Sequence, residues 1–277
     1  MEHRARKRFG QHFLHDRGII QRILTALGPQ PGDIIVEIGP GLGALTRPLL
    51  EHCAPLHVVE LDRDLAARLR AEFPPERLVV HEADALKFDF RALVPHMDAP
   101  MSRETGSRER PAPDRRLRIV GNLPYNVSTP LLFHLLDQAD CISDMLFMLQ
   151  KEVVERMAAT PGSKDYGRLS VMLQWRLRVE KLFDVRPGAF TPPPKVDSAV
   201  VRLTPHTVPP VAIDNADALA RVVRAAFSQR RKTLRNTLKG LFTPEAMQAL
   251  DIDPTRRAET LSLAEFARLA NSLAAAS

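Results

Sequence analysis

Cysteine, aromatic residues and long apolar runs are all scarce in this chain, and each shortage closes off a class of protein. Two cysteines, Cys53 and Cys141, provide neither a disulfide framework nor a zinc-binding spacing. The nine histidines are scattered, with no H-E-x-x-H pair and no C-x-x-C partner, which argues against a zinc hydrolase or a zinc base deaminase. Metal is therefore not expected. No stretch of eighteen apolar residues exists, so no membrane-spanning helix is expected. The basic residues 1–11 are not followed by an apolar signal core, and a cytoplasmic protein is the expectation. Aromatics make up 5% of a chain that is 44% hydrophobic, which leaves aliphatic side chains to build the core.

The 277 residues suffice for one large domain and a small one. A net charge of +6 points to a polyanionic partner, most simply nucleic acid. From residue 31 onward, short apolar runs (34–38, 57–61, 78–81, 116–120 and 145–149) alternate with amphipathic stretches (44–53, 64–73, 129–136 and 152–159). Repeated β-α units predict a mainly parallel sheet with right-handed crossovers. Residues 169–175 and 198–203 read as two further strands, the second returning antiparallel at the sheet edge. Segment 97–116 carries five arginines, four acids and three prolines with almost no apolar residues, and is expected to be an inserted, mobile loop. After the Pro-rich stretch 205–210 the pattern is helical (215–227, 231–242, 244–250 and 263–273). The expected divisions are residues 1–30 as a basic segment with a covering helix, 31–207 as an α/β domain and 208–277 as a small all-α domain.

The chemistry-bearing residues fall at the ends of the expected strands. After the first strand comes Glu37-Ile38-Gly39-Pro40-Gly41-Leu42-Gly43, whose glycines let backbone N–H groups approach a ligand at a helix start. Glu60, seventeen residues after Gly43, ends the second strand, where a carboxylate can accept hydrogen bonds from both ribose hydroxyls. Asp84 ends the third, placed to bond an adenine amine. Gly39-x-Gly41-x-x-Ala44 also fits the relaxed dinucleotide pattern, so a nicotinamide enzyme stays open at this point. Strand four ends in Asn122-Leu123-Pro124-Tyr125. The N6 lone pair of adenine is delocalised and poorly nucleophilic. The Asn122 amide oxygen and the Leu123 carbonyl can accept its two N–H bonds and stabilise the charge that grows as a methyl group arrives. Pro124 brings no competing N–H, and Tyr125 offers a stacking face for an extruded base.

Taken together these stretches resemble the ribosomal RNA adenine N6,N6-dimethyltransferases, in particular the bacterial small-subunit type. The similarity runs over nearly the whole chain: Phe9-Gly10-Gln11-His12-Phe13-Leu14, 37–43, Glu60-Leu61-Asp62, Ala83-Asp84-Ala85, 122–130 (NLPYNVSTP), 190–198 (FTPPPKVDS) and 226–236 (AFSQRRKTLRN). It implies a Rossmann-like class I methyltransferase sheet, seven-stranded and mostly parallel, with a small helical C-terminal domain. It implies S-adenosylmethionine as methyl donor and two adjacent adenines near the 3′ end of 16S rRNA, in an assembling small ribosomal subunit, as substrate. By resemblance, Gln11, His12, Leu14, Gly39, Gly41, Glu60, Leu61, Asp84, Ala85 and Asn122 contact the cofactor or frame its pocket, and Phe190 packs on the target base. Position 12 is His where many relatives carry Asn, and the 97–116 insertion is longer than the family leads one to expect.

Between positions 221 and 239 stand seven basic residues and no acid. Arg221, Arg224, Arg230, Arg231, Lys232 and Arg235 are the candidate phosphate contacts, supplemented by Arg4, Arg6, Lys7 and Arg8. The competing readings are an rRNA-binding assembly factor with little catalysis and a large-subunit rRNA methyltransferase of the macrolide-resistance type. Intact glycine, Glu60 and Asn122 motifs weigh against the first, and Leu123 rather than Ile after the loop asparagine weighs against the second. Nothing suggests an oligomer, and a monomer is expected.

Overall fold

The computed structural model of the chain describes residues 11–94, 116–124 and 127–275. Residues 4–8, Tyr125, and the 97–116 insertion apart from Arg116 lie outside that set. Nine strands and ten α-helices occur among the described residues. Seven strands form one sheet in the order β4-β3-β2-β5-β6-β9-β7, built from β2 (Ile34–Ile38), β3 (Leu56–Glu60), β4 (Leu78–Glu82), β5 (Leu117–Asn122), β6 (Ile142–Gln150), β7 (Leu177–Val185) and β9 (Ser198–Pro205). Strands β4, β3, β2, β5 and β6 run parallel, and β9 is antiparallel to β6. A second, two-stranded sheet pairs β1 (Phe13–Leu14) with β8 (Phe190–Thr191).

Local chemistry fixes the element ends. Helix α1 (Arg17–Leu27) starts where the Asp16 carboxylate accepts the Ile19 N–H at 3.0 Å, and it stops at Gly28, whose φ of 57° suits a residue without a Cβ. Helix α3 (Arg63–Glu72) is capped by Asp62, which accepts from the Asp64 N–H at 3.1 Å. Ile23, Leu24 and Leu27 of α1 and Leu69 of α3 bury themselves with Ile35, Leu56 and Val58 of the sheet. At the base of the sheet Arg118 bonds Asp33 and Asp144, each at 2.7 Å, so that β5, β6 and the entry to β2 share one charge cluster.

β5 lies so close to β2 that a Cβ at Gly121 would stand 2.6 Å from the Ile38 carbonyl oxygen. Gly121→Ala is therefore expected to force the strands apart and cost about 2 kcal/mol in urea unfolding. Wild-type stability in that variant would show the contact to be unimportant.

Packing divides the chain into two compact units, Met1–Lys151 with Lys181–Pro205, and Glu152–Glu180 with His206–Ser277. The second unit thus starts earlier than the 207/208 boundary read from sequence. It takes in α5 (Lys151–Ala158) and α6 (Arg168–Gln174), the latter packing with α7 (Ala216–Ala226), which also meets α10 (Leu263–Ala275). Of residues 169–175, expected as a strand, 169–174 are helical and Trp175 caps the helix. Ser170, Val171, Met172 and Leu173 are all buried, and a continuous apolar run does not distinguish a buried helix from a buried strand. β9 is antiparallel as expected but second from the edge, because β7 occupies the edge itself. The expected helix 231–242 is reduced to one turn, α8 (Leu234–Thr237). The N–H groups of Leu234 and Arg235 bond the carbonyls of Arg256 and Pro254.

Candidate active site

Strands β2 and β5 are neighbours although β3 and β4 intervene in sequence, so the strand order reverses between them. In an open parallel sheet a crevice opens beyond the strand ends at such a point. A cavity of about 1270 Å³, counting its open mouth, lies there. Each wall comes from the residues that follow a strand: Gly39 to Leu42 after β2, Leu61 and Asp62 after β3, Ala83 to Leu86 after β4, and Asn122 to Pro124 at the end of β5. The segment Gln11 to Leu14 and the strand residues Glu37, Ile38, Val59 and Glu60 add to the lining.

Gly39, Gly41 and Gly43 have φ values of 65°, 57° and 81°, a region that side-chain-bearing residues rarely adopt. A Cβ on Gly41 would press within 3.2 Å of the Phe13 ring. The Glu60 carboxylate is buried and spans two chain segments, accepting the Gly41 N–H at 3.2 Å on one oxygen and the Asp62 N–H at 2.8 Å on the other. Burial raises its pKa, and these two N–H bonds oppose the rise. Half-exposed Leu61 follows directly and offers an apolar wall. Across the cavity Asp84 accepts the Leu86 N–H at 3.0 Å, which sets the turn that presents Ala85.

At the end of β5 the Asn122 amide nitrogen donates to the His12 carbonyl at 2.9 Å. No donor among the described residues reaches the Asn122 amide oxygen or the Leu123 carbonyl. Two consecutive residues of the cavity lining thus each carry an acceptor that no described donor engages. Among the described residues the lining holds Glu37, Glu60, Asp62 and Asp84 and no lysine or arginine. Such a set suits hydroxyls, amines and a sulfonium, and disfavours the pyrophosphate of a dinucleotide.

A family model described as ribosomal RNA adenine dimethylase matches residues 2–275. The chain belongs to that family. The proteins named ribosomal RNA small subunit methyltransferase A from Alcanivorax borkumensis and Pseudomonas aeruginosa are 57% and 58% identical to it. The alignments cover 98% and 99% of this chain and 90% and 96% of theirs. The crystal structure of a dimethyladenosine transferase from Plasmodium falciparum superposes with a TM-score of 0.74 at 27% identity, covering 93% of this chain and 96% of that one. The enzyme is thus an rRNA methyltransferase, and its methyl donor is S-adenosylmethionine.

The cavity of this dimethylase fits that donor on its own terms. Carboxylates stand ready for hydroxyls and an amine, an apolar wall suits a purine, and a Cβ on Gly39 would have nothing nearer than the Asn122 carbonyl oxygen at 3.9 Å. All ten residues expected around the cofactor line it: Gln11, His12, Leu14, Gly39, Gly41, Glu60, Leu61, Asp84, Ala85 and Asn122. Leu123 and Pro124 line it as well, and Tyr125 lies outside the described residues. Phe190 does not join them. Its side chain is 3% exposed in the core, because β8 places it opposite Leu14.

Among the lining residues that the sequence does not mark as site residues are Phe13, Asp62 and Glu37. All three sit inside the motifs that located the site. Glu37 is buried and accepts the Thr46 hydroxyl at 2.6 Å, and burial pushes its pKa up to about 7. A carboxyl raised on folding contributes stability that is present below its unfolded pKa and lost as pH climbs through 7. Glu37→Gln is therefore expected to gain on the wild type by about 3 kcal/mol between pH 5 and pH 8 in cofactor-free denaturation. A difference that does not vary with pH would contradict this.

Proposed function

We propose that this chain transfers methyl groups to N6 of two adjacent adenosines near the 3′ end of 16S rRNA, two to each, within an assembling small ribosomal subunit. The observation that carries the reading is the pair of unengaged acceptors, the Asn122 amide oxygen and the Leu123 carbonyl, at the edge of an acid-lined cavity. The small-subunit choice rests on the names of relatives above 55% identity.

S-adenosylmethionine supplies an activated methyl group on a sulfonium, so no strong base is needed. Glu60 holds the ribose hydroxyls and Asp84 the adenine amine, while Gly39 and Gly41 let backbone approach. Asn122 and Leu123 accept the two N–H bonds of the target amine, which favours a pyramidal nitrogen and stabilises its developing charge. The proton leaves after transfer. Tyr125 supplies a stacking face for the extruded base.

RNA is held by the basic surface of the second unit. Arg221 and Arg224 project from the exposed face of α7, with Val222, Val223 and Ala226 buried behind them. Arg231, Lys232 and Arg235 follow in the exposed turn and in α8, and none has an ion-pair partner among the described residues. Arg230 differs: it pairs with Glu259 at 3.3 Å and bonds the Lys164 carbonyl, so it contributes less. The enzyme acts as a cytoplasmic monomer; no helix among the described residues is long and apolar enough to cross a membrane, and none of their side chains cluster as a metal site.

The test is incubation with labelled S-adenosylmethionine and either small or large ribosomal subunits lacking these modifications. Label in N6,N6-dimethyladenosine from small subunits alone is expected. Label from large subunits would move the enzyme to the resistance-type relatives, and binding without any label would make it an assembly factor.

A further inference from the structure

The segment that covers the cavity is secured by an antiparallel ladder that ends one residue short of the catalytic contact. His15 N–H bonds the Ala189 carbonyl at 3.0 Å, Leu14 pairs with Phe190, and Phe13 pairs with Thr191. At the next position the imidazole takes over: His12 Nδ1 lies 2.7 Å from the Pro192 carbonyl oxygen. A carbonyl only accepts, so Nδ1 carries the hydrogen. The same residue uses its own main-chain carbonyl to receive the Asn122 amide nitrogen at 2.9 Å. One residue therefore joins Pro192 to the group that meets the target amine.

The direction of that amide matters more than its presence. Turned as found, Asn122 presents its oxygen to a substrate N–H. Turned over, it presents N–H groups to N–H groups and opposes the reaction. The His12 carbonyl selects the first state, because only the amide nitrogen can donate to it. The imidazole bond in turn fixes where that carbonyl stands, beyond the last ladder pair.

We propose that His12 is a positioning residue for methyl transfer, acting through its imidazole tether to Pro192 and its carbonyl on Asn122. This rests on the reading of Asn122 as the acceptor for the target amine. The role is separate from lining the cofactor cavity, which His12 also does.

The experiment is single-turnover transfer to unmethylated small subunits at saturating S-adenosylmethionine, with calorimetric cofactor affinity and melting temperature measured on the same proteins. His12→Ala is expected to slow transfer about tenfold, as a misplaced catalytic group does, with cofactor affinity within about threefold of wild type. His12→Asn, whose amide nitrogen can stand where Nδ1 stands, is expected to recover most of the rate. A merely structural loss would lower the melting temperature and would not be rescued this way. If Asn122→Ala is inactive while His12→Ala transfers at full rate, the His12 role is overturned alone. The same holds if Ala and Asn at position 12 are equally slow, or if the defect lies only in cofactor affinity. If Asn122→Ala transfers at the wild-type rate, the reading of the site falls, and the His12 role with it.

Discussion

Asn122→Ala is expected to lower the methyl-transfer rate constant by 10²–10³-fold or more, the usual cost of deleting one preorganised group that meets charge as it develops. The reason lies in what the side chain does and does not touch. Its nitrogen is committed to the His12 carbonyl at 2.9 Å, and its oxygen has no partner among the described residues. Deletion removes an acceptor already aimed, and water arriving in its place is not held. Asn122→Asp is a sharper probe, because its carboxylate keeps an acceptor but repels the His12 carbonyl that orients the amide. Single-turnover kinetics at saturating donor separate these effects from binding. A rate within threefold of wild type for Asn122→Ala would remove Asn122 from the chemistry.

Glu60→Ala is expected to weaken S-adenosylmethionine binding by 10² or more, that is by about 3 kcal/mol, the worth of one or two hydrogen bonds to a charged group. Glu60 does two jobs with one carboxylate. It ties the Gly41 N–H to the Asp62 N–H across the β2 and β3 ends, and the residue also lines the cavity. Alanine loosens both loops and deletes the proposed ribose acceptor together. Glu60→Gln keeps one acceptor oxygen and is expected to fall between. Thermal denaturation reads this directly, because a ligand raises the melting temperature only as far as it binds the folded chain. Wild type should show a cofactor-dependent rise that Glu60→Ala lacks at the same concentration. Equal rises in the two proteins would exclude Glu60 from the cofactor site.

The parts of this enzyme legible in its sequence are those in which a short stretch carries its own instruction. The run 34–38 was read to the residue as a strand, because apolar residues flanked by Asp33 and Gly39 have few other uses in an α/β chain. The placing of the glycine loop, Glu60, Asp84 and Asn122 on the cavity wall was legible for a related reason: each lies at or just past the end of a strand, where an open parallel sheet forms its crevice. Elements set by distant partners were not legible. β7 carries Arg178, Glu180, Lys181 and Asp184, and only its place at the sheet edge, with one side open, makes such a strand tolerable. The buried helix α6 looked like a strand because its apolar run has no polar face to reveal a period. Phe190 is placed by a distant partner as well: the two-residue pairing with Leu14, 176 positions away, buries its side chain. The His12 tether spans 180 positions to Pro192 and 110 to Asn122, and no local pattern announces it.

The most direct test of the whole account is mass spectrometry of the 16S rRNA 3′-terminal fragment after reaction with unmethylated small subunits, comparing wild type with Asn122→Ala. The account predicts four added methyl groups, all recovered as N6,N6-dimethyladenosine at two adjacent positions, and none with the variant. Methyl groups on another base, on another atom of adenine, or undiminished in the variant would contradict it.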